Sequence, residues 1–272
     1  MDYLSSDKWD EIKNRLKDKF IFLFLDYDGT LTPIVETPDK AVISQEAKEL
    51  LKKLSKNHDC KISIISGRSL NDVKNIAGIK DIIYVGNHGL EVEGPKIRFK
   101  SSVSPGLKRI LRHINNELYG KLSKMRGVFI EDKGLTLSIH YRLVDRKDIS
   151  LVNNIFTETT QPYILQNKIR ISYGKKVYEI RPPVEWDKGK VVLWLLARQQ
   201  FANGIDKVLP IYIGDDVTDE DAFKAVKNKG LTVFVGKPKK SYAQYYLKNT
   251  SEVMQFLREL MELKKDTTIC QN

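Results

Sequence analysis

Cysteine is almost absent from this chain: Cys60 and Cys270 are the only two in 272 residues. Two cysteines build no disulfide framework, and their scarcity suits a reducing cytoplasm. Long apolar runs are missing as well. Residues 20–25 span six positions between charged flanks and residues 191–197 span seven, far short of the ~20 needed to cross a bilayer. The start, Met1-Asp2-Tyr3-Leu4, lacks the basic-then-apolar order of a secretory leader. No internal repeat and no low-complexity tract occurs, which leaves out solenoids and disordered arms. A membrane partner is therefore not expected.

Charge is plentiful, with 46 Lys and Arg against 35 Asp and Glu, a formal excess of +11. Such an excess can serve nucleic acid, acidic membranes or phosphorylated small molecules. Here the lysines lie along helical faces (Lys13, Lys17 and Lys19; Lys48, Lys52 and Lys53; Lys224, Lys227 and Lys229), as solvated surfaces do. No nucleic-acid-binding module accompanies them, so no nucleic-acid partner is expected. The hydrophobic fraction of 41% and charged fraction of 30% are those of a soluble globular protein. The length admits one substantial domain with a smaller one inserted.

The first hundred residues alternate strand and helix patterns. Residues 7–19 form an amphipathic helix with Trp9, Ile12 and Leu16 on one face, and the apolar run 20–25 reads as a strand buried on both sides. Ser44 caps a helix with Ala47, Leu50, Leu51 and Leu54 inward. A second strand (60–65), a short helix (69–76) and a third strand (82–85) follow. This repetition predicts an α/β fold with a doubly wound, mostly parallel, Rossmann-like sheet. The period then changes. Ser104-Pro105 opens a helix to about residue 122, and residues 135–141 alternate as a half-buried antiparallel strand. A helix at 148–159 and a hairpin of 168–173 with 176–181 complete a β-β-α-β-β segment. Residues 104–182 are thus predicted to be an inserted α+β domain, with 1–103 and 183–272 as the sheet domain. The βα pattern resumes with helix 188–201, strand 209–213, helix 219–228, strand 231–235 and a terminal helix.

Ligands of such sheets gather beyond the carboxyl ends of the strands, and four ends here carry chemistry. Asp26-Tyr27-Asp28-Gly29-Thr30 follows the first buried strand, placing two carboxylates where one can be a nucleophile and the other a general acid. Ser66-Gly67-Arg68 ends the second; it offers a hydroxyl and backbone N–H groups to phosphate, and equally makes an ordinary turn. Asn87 and His88, after the third, can touch substrate or merely close a turn. The fourth, Gly214-Asp215-Asp216-Val217-Thr218-Asp219-Glu220-Asp221, has five acidic residues in seven. Some serve the next helix's N-terminus, while Asp215 and Asp216, with Asp26 and the Asp28 carbonyl, offer hard oxygen ligands for Mg²⁺. Calcium is the alternative, although the spacing is not that of an EF-hand. In Trp186-Asp187-Lys188-Gly189-Lys190, Asp187 is a natural N-cap. Lys188 in the first turn opposes the helix dipole unless it turns toward carboxylates or phosphate.

At these residues the chain resembles the haloacid dehalogenase superfamily, whose four motifs match 26–30, Ser66, Lys188 and Asp215 with Asp216 in order. More finely it resembles the trehalose-6-phosphate phosphatases over residues 20–250. That likeness is carried by Asp26 to Ile34, Ser66-Gly67-Arg68, Gly86 to Glu91, Glu131-Asp132-Lys133-Gly134, His140-Tyr141-Arg142, Glu179 to Pro182, Trp186 to Lys190 and Gly214 to Phe223. The resemblance implies a free-standing, cytoplasmic, Mg²⁺-dependent enzyme that hydrolyses trehalose 6-phosphate through an aspartyl-phosphate. Asp26 would be the nucleophile, Asp28 the acid and then the base, and Lys188 and Ser66 the phosphate holders. Asp26, Asp28, Asp215 and Asp216 would be the metal's acidic residues, with the direct contact open between Asp216 and Asp219. Thr30, Gly67, Arg68, Asn87 and His88 are further substrate-contact candidates in the core, and Glu131, Lys133, Arg142 and Glu179 in the inserted cap. Other readings are the same chemistry on sucrose phosphate or mannosyl phosphoglycerate, or a non-catalytic phosphatase-like module that binds a partner.

Overall fold

The structure, a computed structural model, describes residues 1–204, 207–238 and 240–269; Cys270 lies outside them. In chain order it begins β1 (Asp2–Tyr3), α1 (Ser6–Leu16), β2 (Phe20–Asp26), α2 (Gln45–Ser55), β3 (Cys60–Ile65), α3 (Leu70–Ala77), β4 (Ile83–Gly86), β5 (Glu91–Gly94) and β6 (Ile97–Lys100). Then come α4 (Pro105–Leu122), β7 (Phe129–Asp132), β8 (Leu137–His140), α5 (Ile149–Leu165), β9 (Arg170–Gly174) and β10 (Val177–Arg181). It closes with α6 (Lys188–Asn203), β11 (Val208–Gly214), α7 (Glu220–Val226), β12 (Leu231–Val235), β13 (Tyr245–Leu247) and α8 (Thr250–Ile269). Contacts divide the chain into two compact units, Met1–Phe99 with everything from Trp186 onward, and Lys100–Glu185.

The first unit is built on a nine-stranded sheet of order β1-β13-β12-β11-β2-β3-β4-β5-β6. Its pairs are parallel from β1 to β4, and β5 turns back antiparallel on β4. Successive side chains of a strand face opposite ways, so the apolar run of β2 feeds two cores. Ile21, Leu23 and Leu25 pack with α1, α2, α3 and α8, whereas Phe22 and Phe24 pack with α6 and α7. Each of these five is at most 1% exposed, and burying such a side chain contributes roughly 1.5–3 kcal/mol. Helices on both faces make the sheet doubly wound, the predicted architecture.

The second unit is an antiparallel sheet of order β7-β8-β10-β9 with α4 and α5. Ile130, Leu137, Ile139, Tyr178, Ile180 and Ile171 form its apolar face and join Leu111, Ile114, Leu118, Val152 and Phe156 from the helices in one core. The other face carries Glu131, Ser138, Glu179 and Ser172, with Phe129, His140 and Val177 beside them.

The predicted caps are present: Ser44, Ser104 and Asp187 accept from the backbone N–H groups of Ala47, Leu107 and Lys190. Strands β1, β5, β6, β7 and β13 were not legible as elements, being two to four residues long and too short for a period to show. The helix predicted over 7–19 ends at Leu16. Buried Lys264, from α8, donates its ammonium hydrogens to the carbonyls of Leu16, Lys17 and Lys19, a stop signal 245 residues or more away. The helix predicted over 219–228 is a 3₁₀ turn, Val217–Asp219, followed by the shorter α7. Among the described residues no helix is long and apolar enough to cross a membrane.

Candidate active site

Register aligns the polar strand ends. Asp26 lies opposite Ile65 on β3, Ile65 opposite Val85 on β4, and Leu25 opposite Ile213 on β11. Asp26, Ser66, Asn87 and Asp215 therefore leave the same carboxyl edge of adjacent strands. The turn after β2 requires glycine. Gly29 has φ +89°, and a Cβ there would sit 2.0 Å from Asp215 Oδ2, so the Asp215 carboxylate rests directly on the Gly29 backbone.

Lys188 is the hub of the edge. Its buried Nζ donates to Asp26 Oδ1 at 2.6 Å and to Asp219 Oδ1 at 2.7 Å. Asp219 also accepts from the Tyr212 hydroxyl at 2.7 Å and from the Asp215 and Asp216 N–H groups at 3.0 and 2.9 Å. Burial alone would raise the Asp219 pKa; the charge and hydrogen bond of Lys188, aided by Tyr212 and Asp216, reverse that and hold it below the usual range. Asp26 has fewer donors. Burial, with Asp219 and Asp215 adding like charge, pushes its carboxyl well above the usual range against the pull of Lys188. Burial disfavours the Lys188 charge, but Asp219 and Asp26 outweigh it and raise its pKa.

Asp26, Asp215 and Asp219 bring carboxylate oxygens within 4.8 Å of one another, all buried. A single lysine does not neutralise three such groups, as the upward shift of Asp26 registers. Clustered hard oxygens short of positive charge are a donor set that fits a divalent cation such as Mg²⁺. Asp216 lies outside this cluster: it and Asp219 form a capping box, each side chain accepting from the other's backbone N–H. Of Asp219, left open in the sequence against Asp216 as a direct metal contact, and Tyr212, only the second was passed over by the strand-end reading. The i, i+4 spacing of Asp215 and Asp219 was a usable signal for the first. For Tyr212, a lone hydroxyl in a wholly buried strand was the only hint.

Asp28 does not join the cluster. Arg68 Nε and Nη2 donate to its two oxygens at 2.8 Å each, while Arg68 Nη1 donates to Asp72 and Nη2 also to the Pro38 carbonyl, both at 2.7 Å. Burial opposes the Arg68 charge, and the hydrogen bonds and charges of Asp28 and Asp72 more than offset it. Ser66 is buried, its hydroxyl accepting from Arg68 N–H at 3.1 Å. Thr30 is fully buried, with no hydrogen-bond partner at its Oγ1. Asn87 and His88 both have positive φ, +49° and +54°. Their turn is pinned by the Asn87 amide on Glu91 at 2.7 Å and by Trp186 Nε1 on the Gly89 carbonyl at 2.6 Å. Gly67 packs on the His88 ring, where a Cβ would meet Nε2 at 2.5 Å.

In the second unit, Glu131, Ser138, Glu179 and Ser172 stand in register across the face of the sheet away from its apolar core. Glu179 accepts from Lys133 Nζ and Thr136 Oγ1 at 3.2 Å each, and Glu131 Oε2 lies 3.0 Å from His140 Nε2 and 4.0 Å from Lys133 Nζ. Glu131, Lys133 and Glu179 are thus gathered on one face. Arg142 is outside the row, donating to the Lys175 carbonyl at 2.8 Å.

Residues 24–251 match the family model described as trehalose-phosphatase. The chain is 41% identical to probable trehalose-phosphate phosphatase D of Arabidopsis thaliana, across 94% of this chain and 71% of that protein. It is 38% identical to trehalose-phosphate phosphatase B of the same plant, across 95% and 71%. The C-terminal domain of C. albicans trehalose-6-phosphate phosphatase shares the fold, with a TM-score of 0.81 at 23% identity, covering 96% of this chain and 98% of that one. With its buried Lys188–Asp26 contact, its acidic cluster and these likenesses, the chain belongs to the trehalose-phosphatase family.

Proposed function

We propose that this enzyme hydrolyses trehalose 6-phosphate to trehalose and phosphate through a phosphorylated Asp26. The observation that carries the reading is the buried contact between Lys188 and Asp26 at the strand edge, beside Asp215 and Asp219. Mg²⁺ suits the site: Asp26, the Asp28 carbonyl and Asp215 would hold it, with Asp216 close in sequence, and when bound it neutralises charge on the phosphoryl oxygens.

The chain's own residues divide the work. An Asp26 carboxylate oxygen attacks phosphorus, and the bond from phosphorus to the sugar oxygen breaks. That oxygen takes a proton from the Asp28 carboxyl. Asp28, now a carboxylate, removes a proton from a water whose oxygen attacks the aspartyl-phosphate. The bond to Asp26 breaks, phosphate leaves, and Asp28 is reprotonated. Lys188 and Ser66 hold the phosphoryl group. Lys188 is suited to this by a charge that the buried carboxylates sustain. Accelerations up to ~10²¹ are known for phosphate monoesters, and fixed charge in a dry site is the largest means available. The unit Lys100–Glu185 acts as the cap, and Glu131, Lys133 and Glu179 supply the polar groups that disaccharide hydroxyls need. Arg142, Thr30, Gly67, Asn87 and His88 complete the substrate shell.

Phosphate release from trehalose 6-phosphate, measured with Mg²⁺ and after chelation, tests the reading. Turnover that disappears on chelation and returns with Mg²⁺ is expected. In Asp26→Asn, kcat should fall by ~10⁴-fold or more, the scale seen on loss of a nucleophile; turnover near that of the unaltered enzyme would sink the assignment. A sugar-phosphate screen favouring sucrose phosphate or mannosyl phosphoglycerate would redirect the substrate while keeping the chemistry.

A further inference from the structure

Arg68 sits in the predicted substrate shell, yet its geometry is not that of a phosphate ligand. A guanidinium has five N–H donors. Four of them are taken within the protein: two by the oxygens of Asp28, one by Asp72 and one by the Pro38 carbonyl. The residue is also fixed at its backbone, where its N–H donates to Ser66 Oγ and its carbonyl accepts from Asn87 N–H at 2.7 Å. Its guanidinium carbon lies 5.6 Å from the centre of the Tyr27 ring. The two partners of the ion pair differ in freedom: the Arg68 side chain is 8% exposed, and that of Asp28 is 41% exposed. A rigid, buried fork therefore grips a carboxylate that is open to solvent on its other side.

We propose that Arg68 is a positioning residue that acts through Asp28, docking its carboxylate in one orientation from which it swings to the leaving-group oxygen. The inference rests on the reading of Asp28 as the proton carrier. While both Asp28 oxygens are held in the fork, neither faces a substrate. A carboxylate clasped by two guanidinium donors carries no proton, so Asp28 first releases at least one arm and takes a proton from solvent on its open side. It gives that proton to the departing sugar oxygen. The fork recaptures the carboxylate once the proton that Asp28 later takes from water has returned to solvent. The planar, two-pronged geometry sets the docked orientation, which a lysine's single ammonium cannot reproduce.

The test compares kcat/KM for trehalose 6-phosphate and for para-nitrophenyl phosphate in the Mg²⁺-loaded enzyme. This ratio reports steps through departure of the alcohol, and the aryl oxygen departs without needing a proton. Arg68→Gln is expected to lose ~10²-fold on the sugar phosphate, the lower range of a general acid's contribution, and at least tenfold less on the aryl ester. Asp28→Asn should show the same selectivity, and adding Arg68→Gln to it should cause little further loss, because one residue works through the other. Arg68→Lys keeps the charge without the fork. It should fall between the unaltered enzyme and Arg68→Gln, and it serves as the readout should Arg68→Gln fail to fold in thermal unfolding. Equal losses on both substrates, or independent losses in the double variant, overturn the role of Arg68 and leave the proposed activity standing. No turnover of trehalose 6-phosphate by the unaltered enzyme, or full turnover by Asp28→Asn, overturns the underlying reading and this inference with it.

Discussion

Asp219 accepts hydrogen bonds on both sides of its carboxylate: Lys188 and Tyr212 donate to Oδ1, and two backbone N–H groups donate to Oδ2. An amide in its place turns a donor toward other donors whichever way it is flipped. Asp219→Asn is therefore expected to cost about 3–5 kcal/mol, the range for breaking a buried ion pair, and to lower kcat through a Lys188 no longer held between two acids. Tyr212→Phe removes one donor of four, so its cost should be only ~1 kcal/mol, with a smaller fall in kcat. Urea unfolding and steady-state kinetics on both variants check this; an equal effect from the two would show that Asp219 is not the organising acceptor. Cys60 illustrates the opposite environment. Burial pushes its thiol up to about 12, and a protonated, enclosed thiol is a poor nucleophile. In a Cys270→Ser protein, iodoacetamide at pH 8 should leave Cys60 unmodified until the chain unfolds, and rapid native labelling would contradict this burial. Where unfolding frees the thiol to ionise at its ordinary 9.0, the folded state holds more protons, so this group's contribution to stability falls as pH rises from 9.0 towards 12.

At the scale of elements, α1 and α8 are joined by the Lys264 ammonium, buried to 1% exposure beneath the end of α1. Burial lowers its pKa, with the charges of Asp59 and Asp18 opposing the shift. The last carbonyls of a helix have no intrahelical donors, and three carbonyls here accept from one side chain, that of Leu16 accepting also from the Lys19 N–H at 3.3 Å. Relief of a desolvated charge favours replacement by an apolar residue, while orphaned buried acceptors cost roughly 1–3 kcal/mol each. The second effect is larger, so Lys264→Met should destabilise by about 2 kcal/mol. At 2–4 °C per kcal/mol for a domain of this size, calorimetry should find Tm lower by roughly 4–8 °C. An unchanged or higher Tm would mean that the desolvation penalty dominates.

At the scale of the whole molecule, charge is unevenly distributed. Lys100–Glu185 holds sixteen Lys and Arg against eight Asp and Glu, a net +8 of the chain's +11. An anionic substrate is steered by such a field, and salt screens it over a Debye length of ~8 Å at physiological strength. Raising ionic strength should lower kcat/KM for trehalose 6-phosphate mainly through KM; a salt-independent kcat/KM would remove the steering. Glu131→Ala should depress kcat/KM for trehalose 6-phosphate far more than for an aryl phosphate, whereas equal losses would argue against sugar recognition by that face. The alternation of strands and helices was legible in the residues alone, because hydrophobic period is a local property that a few turns or pleats already display. So were the polar strand ends, since Asp26, Ser66, Asn87 and Asp215 each follow a short apolar run. Folding was needed to bring Asp219 rather than Asp216 into the acidic cluster, to clasp Asp28 in Arg68, to stop α1 at Leu16 and to set Glu131 and Glu179 in one row. Each of these depends on a partner in another element. Packing and register select such partners, and no local periodicity encodes them.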